Sequence, residues 1–165
     1  MRATLEPGNK APAVELPLLN GGTFSLANAL AKGRVALAFF KVSCPICQYS
    51  FPYYERLAQI LKEKAFSVVG ISQDDAKSTA EFARRFGVTF PIALDVAKGY
   101  PVSSAYGLTN VPTFFLINED GEIEETVIGW SKQALEKVYG RFRDSQTASV
   151  RMFAAGENVA DFKAG

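Results

Sequence analysis

Residues 34–41 read RVALAFFK, with six consecutive apolar side chains between the charged ends. A strand that alternates apolar and polar residues leaves one face in water. A strand apolar at every position must be covered on both faces, so this segment demands a sheet with a layer packed on either side. FSVVGIS at 66–72 repeats the pattern, and FPIALD at 90–95 is a third, shorter strand. VPTFFLINEDGEIEETVIGW at 111–130 reads as two strands joined by a turn at Glu119-Asp120-Gly121, hence an antiparallel hairpin.

Helical segments separate these strands. A helix is expected from about Pro45 to Lys64, with Pro52 inside it as a kink. A second starts at Asp74 or Asp75 as N-cap, stops at Gly87, and presents Ala76, Ala80, Ala83 and Phe86 on one face. Ser131 opens the last, whose apolar stripe is Leu135, Val138, Tyr139 and Phe142. Upstream, AVELPLLNGGTFSLANAL at 13–30 turns at Asn20-Gly21-Gly22, which predicts a β-hairpin and then a short helix from Ser25. The expected class is α/β: a central mixed sheet flanked by helices on both faces, with an N-terminal β-hairpin.

The expected organisation is one domain over residues 1–165, with residues 1–12 as a loose lead-in and 145–165 as a C-terminal tail. Phe153, Val159 and Phe162 are the tail residues able to dock it. Lys and Arg number 18 against 17 Asp and Glu, so no strong field draws nucleic acid or an anionic membrane. The opening MRATLEPGNKAPAVELPLLN has no apolar h-region and is broken by Pro and Gly, so no signal peptide is expected. No membrane span is expected either. The cytoplasm is the expected compartment, or the periplasm if a presequence has been removed.

The chain has two cysteines, Cys44 and Cys47, and no histidine. Random placement of two cysteines would give this spacing roughly once in eighty trials, so coincidence in an apolar core is a weak account. A zinc site needs about four ligands, and without histidine two thiolates fall short. In a reducing compartment a structural staple is disfavoured too. A redox dithiol fits both spacing and position. Cys44 falls where the buried strand ends and a helix begins, and the free amides and dipole there favour a thiolate. Pro45 suits the first helical turn. Cys47, one turn on, is expected to be the more buried thiol.

Cys-Pro-Ile-Cys at a helix start, Pro52 eight residues after Cys44, and Val111-Pro112 before a strand together resemble the thioredoxin superfamily. The likeness covers about residues 11–143. The N-terminal hairpin, the segment GISQDD at 70–75, and the extra helix and strand before NVPTFFLI point to its redoxin branch, the TlpA-like and peroxiredoxin-like proteins. The resemblance implies a thioredoxin-like fold and a thiol–disulfide oxidoreductase in which Cys44 attacks and Cys47 resolves. It implies that Pro112 is a cis-proline facing the dithiol, and that Val111 and Pro112, with Pro45 and Ile46, bind substrate. Partners would be protein or small-molecule disulfides and an external thiol electron donor, in the service of redox homeostasis and antioxidant defence. No metal or other cofactor is implied.

Several positions depart from those relatives. Many thioredoxins carry a buried acid six residues before the first cysteine, where this chain has Ala38. TlpA-like reductases often carry a glutamate three residues after the second cysteine, where it has Ser50. Peroxiredoxins usually cradle peroxide with a Thr or Ser three residues before the reactive cysteine, a Pro four residues further upstream, and a later Arg. Here the first two positions are Lys41 and Leu37, and no arginine occurs between Arg85 and Arg141. A thiol peroxidase is therefore the weaker alternative. A third reading is a binding module with a vestigial dithiol, its surface supplied by Tyr49, Tyr53, Tyr54, Tyr100 and Tyr106.

Overall fold

The computed structural model describes residues 3–144 and 149–165. Residues 1–2 of the expected lead-in and 145–148 of the expected tail lie outside it. The elements in chain order are β1 (Glu15–Pro17), β2 (Thr23–Ser25), α1 (Leu26–Leu30), β3 (Arg34–Phe40), α2 (Pro45–Ile60), β4 (Phe66–Ser72) and α3 (Ala76–Phe86). They continue with β5 (Ile92–Leu94), α4 (Pro101–Ala105), β6 (Thr113–Ile117), β7 (Ile123–Ile128), β8 (Trp130–Ser131), α5 (Lys132–Gly140) and β9 (Phe162–Lys163).

Five strands form the central sheet in the order β5-β4-β3-β6-β7. β3 pairs in parallel with β4 and antiparallel with β6, so the sheet is mixed as expected. The unbroken apolar run of β3 sorts by residue parity. Ala36, Ala38 and Phe40 join a core with α2, α3 and α5, while Val35, Leu37 and Phe39 join a second core with the β1–β2 hairpin, α1 and α4. Each face of the strand is therefore buried by a different layer, the physical reason its sequence shows no alternation. Phe51 anchors α2 to the first core through ring contacts with Phe40, Tyr54, Phe82 and Phe90.

Three expectations change. α2 holds Pro52 inside it as expected but ends at Ile60, four residues before the expected Lys64; the chain then turns, with Lys64 N–H donating to Leu61 O. In α3, Ala76 and Ala80 are exposed, whereas Thr79 and Phe82 are buried with Ala83 and Phe86 half-buried. Asp75 sets that phase by capping the Ser78 amide, and Thr79 is buried because its hydroxyl meets Ser72 Oγ at 2.7 Å. A small alanine face cannot outcompete a phenylalanine for the core. Residues 3–12 are not loose. Gly8 N–H donates to Ile123 O, Ile123 N–H to Asn9 O, and the Tyr106 hydroxyl to Pro12 O, which ties the lead-in along β7 and α4.

Helix α4 was not legible in the sequence because nothing at its own start caps it. Its N-cap, Tyr100, makes no side-chain capping bond. Asp95, fully buried, does so from a distance, accepting from the amides of Val102 and Ser103 and the Ser103 hydroxyl. Asp95→Ala orphans three donors and is expected to lower unfolding free energy by about 2–3 kcal/mol. A urea titration with an unchanged midpoint would contradict that role.

Candidate active site

The loop from β3 to α2 is fixed before the dithiol is reached. Val42 N–H donates to Asp74 Oδ2 at 2.8 Å, and Gln48 Nε2 donates to Val42 O at 2.9 Å. Asp74 is thus the other half of the Asp pair in GISQDD: Asp75 caps α3 while Asp74 holds the dithiol loop. Neither Asp74 nor Gln48 was singled out for this from the sequence. The signal was there only as two adjacent aspartates, of which one suffices for a cap.

Cys44 is the N-cap of α2 and half-buried, with Pro45 in the first turn and exposed. Cys44 Sγ accepts the Cys47 amide at 3.1 Å, as a capping oxygen would. Cys47 is fully buried in the first core. Burial pushes its thiol well above the ordinary thiol range, and a hydrogen bond with the Cys44 sulfur adds to the rise. Ile46 is half-buried beside them.

The Val111-Pro112 peptide is cis, and its loop reaches the dithiol: Cys44 Sγ lies 3.5 Å from Val111 O in donor geometry. All six residues singled out as the site, Cys44, Pro45, Ile46, Cys47, Val111 and Pro112, therefore belong to two adjoining segments. Ala38 is buried in β3 with no acid in its place. Ser50 is buried as well, its hydroxyl donating to Ile46 O at 2.7 Å and meeting the phenol of Tyr54. Tyr54 is fully buried, and burial first, then the neighbouring cysteine charges, pushes its phenol up.

The tyrosines do not make the aromatic surface expected of a binding module. Tyr54 and Tyr106 are buried, and Tyr49 and Tyr53 pack against Trp130 at 5.5 and 4.9 Å between ring centroids. Tyr100 alone of the five is exposed. Sequence reading also missed Trp130, because a single aromatic after a glycine carries no periodic signal. The segment after residue 148 covers it. Met152 and Phe153 are buried, Arg56 pairs with Glu157 through both carboxylate oxygens, and β9 pairs with β8. Phe162, expected to help dock that segment, is 64% exposed; its backbone, not its ring, makes the attachment.

No helix among the described residues is long and apolar enough to cross a membrane. Residues 6–140 match the family model described as Redoxin. The thiol-disulfide oxidoreductase ResA of Bacillus thuringiensis (strain Al Hakam) is 32% identical over 134 residues, covering 80% of this chain and 76% of its own. ResA of Halalkalibacterium halodurans is 34% identical over 129 residues, or 78% and 72% of the two chains. Among solved structures, the thioredoxin domain of a Bacteroides vulgatus thiol-disulfide oxidoreductase superposes with a TM-score of 0.77 at 21% identity, over 85% of this chain and 100% of that one. Peroxidoxin BcpB of Mycobacterium tuberculosis superposes at 0.71 and 24% identity, over 85% and 99%. Those two share the fold. With the family model spanning most of the sequence and ResA relatives above 30% identity along most of their own length, this chain belongs to the Redoxin family of the thioredoxin superfamily and is a thiol–disulfide oxidoreductase.

Proposed function

We propose that Cys44 is the attacking thiol and Cys47 the resolving one. The Cys44 thiolate attacks one sulfur of a substrate disulfide, and the other sulfur leaves as a thiolate that takes a proton. Cys47 then loses its proton and attacks Cys44 Sγ. The second substrate thiol is released and the Cys44–Cys47 disulfide forms, two electrons having passed to the substrate. An external thiol donor returns the protein to the dithiol. Substrate docks across Pro45 and Ile46 on one side and Val111 and Pro112 on the other.

The contrast in access between the two sulfurs carries this reading. Cys44 is reachable from solvent at the helix start, while Cys47 is buried behind it and protonated at neutral pH. A substrate disulfide meets Cys44 first. Incubation with a disulfide substrate is expected to accumulate a mixed disulfide in Cys47→Ser and none in Cys44→Ser, read by intact-protein mass. Equal trapping in both variants overturns the roles, and no trapping in either supports a vestigial dithiol.

The cytoplasmic setting expected from the sequence enters as a direction of electron flow. A dithiol kept reduced there works as a reductant, with a potential nearer the thioredoxin value of about −270 mV than the strongly oxidising value of about −120 mV. Equilibration against glutathione measures it. A value at the oxidising end reverses the direction of electron flow.

A further inference from the structure

Two groups stand close to the carbonyl of Val111. One is Cys44 Sγ at 3.5 Å. The other is Gly165, where the first carbon of any side chain would come within 2.9 Å of the same oxygen. The segment carrying Gly165 is thus drawn up to the docking loop beside the reactive sulfur. Its attachments run from α2 to that loop. Ala160 N–H donates to the Tyr49 hydroxyl at 2.9 Å, and Ala160 O accepts the Trp130 indole N–H at 2.6 Å. Lys132 N–H donates to Asp161 O, and β9 pairs with β8. Lys163 Nζ stands 4.9 Å over the Tyr49 ring, and Asn110 Nδ2 donates to Gly165 O at 3.0 Å.

Gly129 records how close the approach is. A side chain there would begin 2.4 Å from Lys163 O and 2.8 Å from Gly165 N, so the strap lies directly on bare backbone. Gly129 also has φ +78°, a conformation that glycine tolerates best. The strap lies beyond residue 140, where the match to the Redoxin family ends. It is an addition to the common fold, held by backbone hydrogen bonds and anchored at both ends.

We propose that residues 160–165 form a strap that fixes the substrate class of the dithiol, favouring small disulfides over disulfides embedded in a folded protein chain. This rests on the roles given above to Cys44 and Val111. A low-molecular-weight disulfide needs to bring only its sulfurs to Cys44. A protein disulfide brings flanking backbone that must lie along the Val111 loop, where Gly165 already stands. The strap must therefore be displaced, at the cost of its bonds to Asn110 and β8, before a protein substrate docks.

The test compares reduction of bis(2-hydroxyethyl) disulfide, small and uncharged, with reduction of insulin. The proteins are the full chain, a chain ended after Asp161, and Asn110→Ala. Truncation is expected to raise the insulin rate about tenfold or more while the small-disulfide rate stays within about twofold. Asn110→Ala, which loses the hydrogen bond to Gly165 O and the one its Oδ1 accepts from the Thr109 hydroxyl, is expected to raise the insulin rate about two- to threefold. A ratio of the two rates that is unchanged, or that moves against insulin, overturns the strap. If thermal melting shows that truncation unfolds the chain, Asn110→Ala decides by the same criterion. A full chain that reduces neither probe, or a Cys44→Ser variant that reduces both, sinks the dithiol roles and the strap with them.

Discussion

Hydrogen peroxide is expected to oxidise Cys44 at a rate within about tenfold of free cysteine compared at equal thiolate, several orders of magnitude below a dedicated peroxidase. Fast peroxide reduction requires donors aimed at both oxygens, so that charge developing on the leaving hydroxide is stabilised as the S–O bond forms. The two positions that would help build that cradle hold Lys41, which is exposed, and Leu37, which is buried in the core behind the sheet. The polar neighbours of Cys44 Sγ include the Cys47 amide, the Cys47 thiol and the Val111 carbonyl; the carbonyl is an acceptor and repels a hydroxide. Arg56 is paired with Glu157, Arg34 with Glu124, and Arg141 with Glu124 and Glu125. Likeness to a peroxidoxin in backbone course brings none of this chemistry with it. Stopped-flow competition against a fast peroxidase measures the rate, and a value in the peroxidase range would place the chain among the peroxiredoxins.

Breakdown of the mixed disulfide is expected to accelerate about tenfold per pH unit between pH 6 and 8, because the Cys47 thiolate is the attacking species and is scarce. Burial is the main cause of the raised Cys47 thiol, with the bond and charge of Cys44 contributing further. Once Cys44 is in a mixed disulfide its negative charge is gone, but burial remains, so the shift keeps its upward direction. Below a raised pKa each added pH unit multiplies the thiolate fraction by ten, which gives the sign and the slope. With Ala38 and Ser50 where relatives often hold carboxylates, no acid among the described residues acts on Cys47 to flatten the profile. Ser50→Glu puts a base on the inner face of α2, one turn from Cys47, and is expected to speed breakdown at pH 7 about tenfold or more. The same change overfills a fully buried site and is expected to cost about 1–3 kcal/mol of stability. A wild-type profile that is flat and fast from pH 6 upward would mean that another group already takes the proton.

What was legible in the sequence follows from which forces leave a periodic trace. β3 and β4, apolar at every core position, announced a sheet covered on both sides, and the turn at Glu119-Asp120-Gly121 announced the β6–β7 hairpin. The dithiol was legible because chemistry fixes its spacing. α3 was legible as a helix but not in its phase, because alanine counts as apolar in a pattern yet contributes little burial, while Thr79 is carried into the core by a hydroxyl partner on β4. α4 is five residues long and capped by Asp95 from outside itself, which no local window detects. The docking of residues 149–165 was illegible for a different reason. It depends on backbone pairing, on the Arg56–Glu157 pair and on Trp130, each of which joins residues far apart in sequence. The lead-in was misread likewise: polar side chains said nothing of amides paired with Ile123 and Gly121.

Trp130 has an optical consequence. It is the single tryptophan of the chain, so its emission arises from one place, the junction of α2, β8 and the strap. Its indole N–H is bound to Ala160 O, and its ring is walled by Tyr49, Tyr53 and Phe153. Lifting the strap hydrates that indole and moves its emission to longer wavelength while the backbone dichroism of the central sheet stays constant. The native protein thus carries its own fluorophore at the hinge of substrate admission, and strap opening during turnover can be timed without a label.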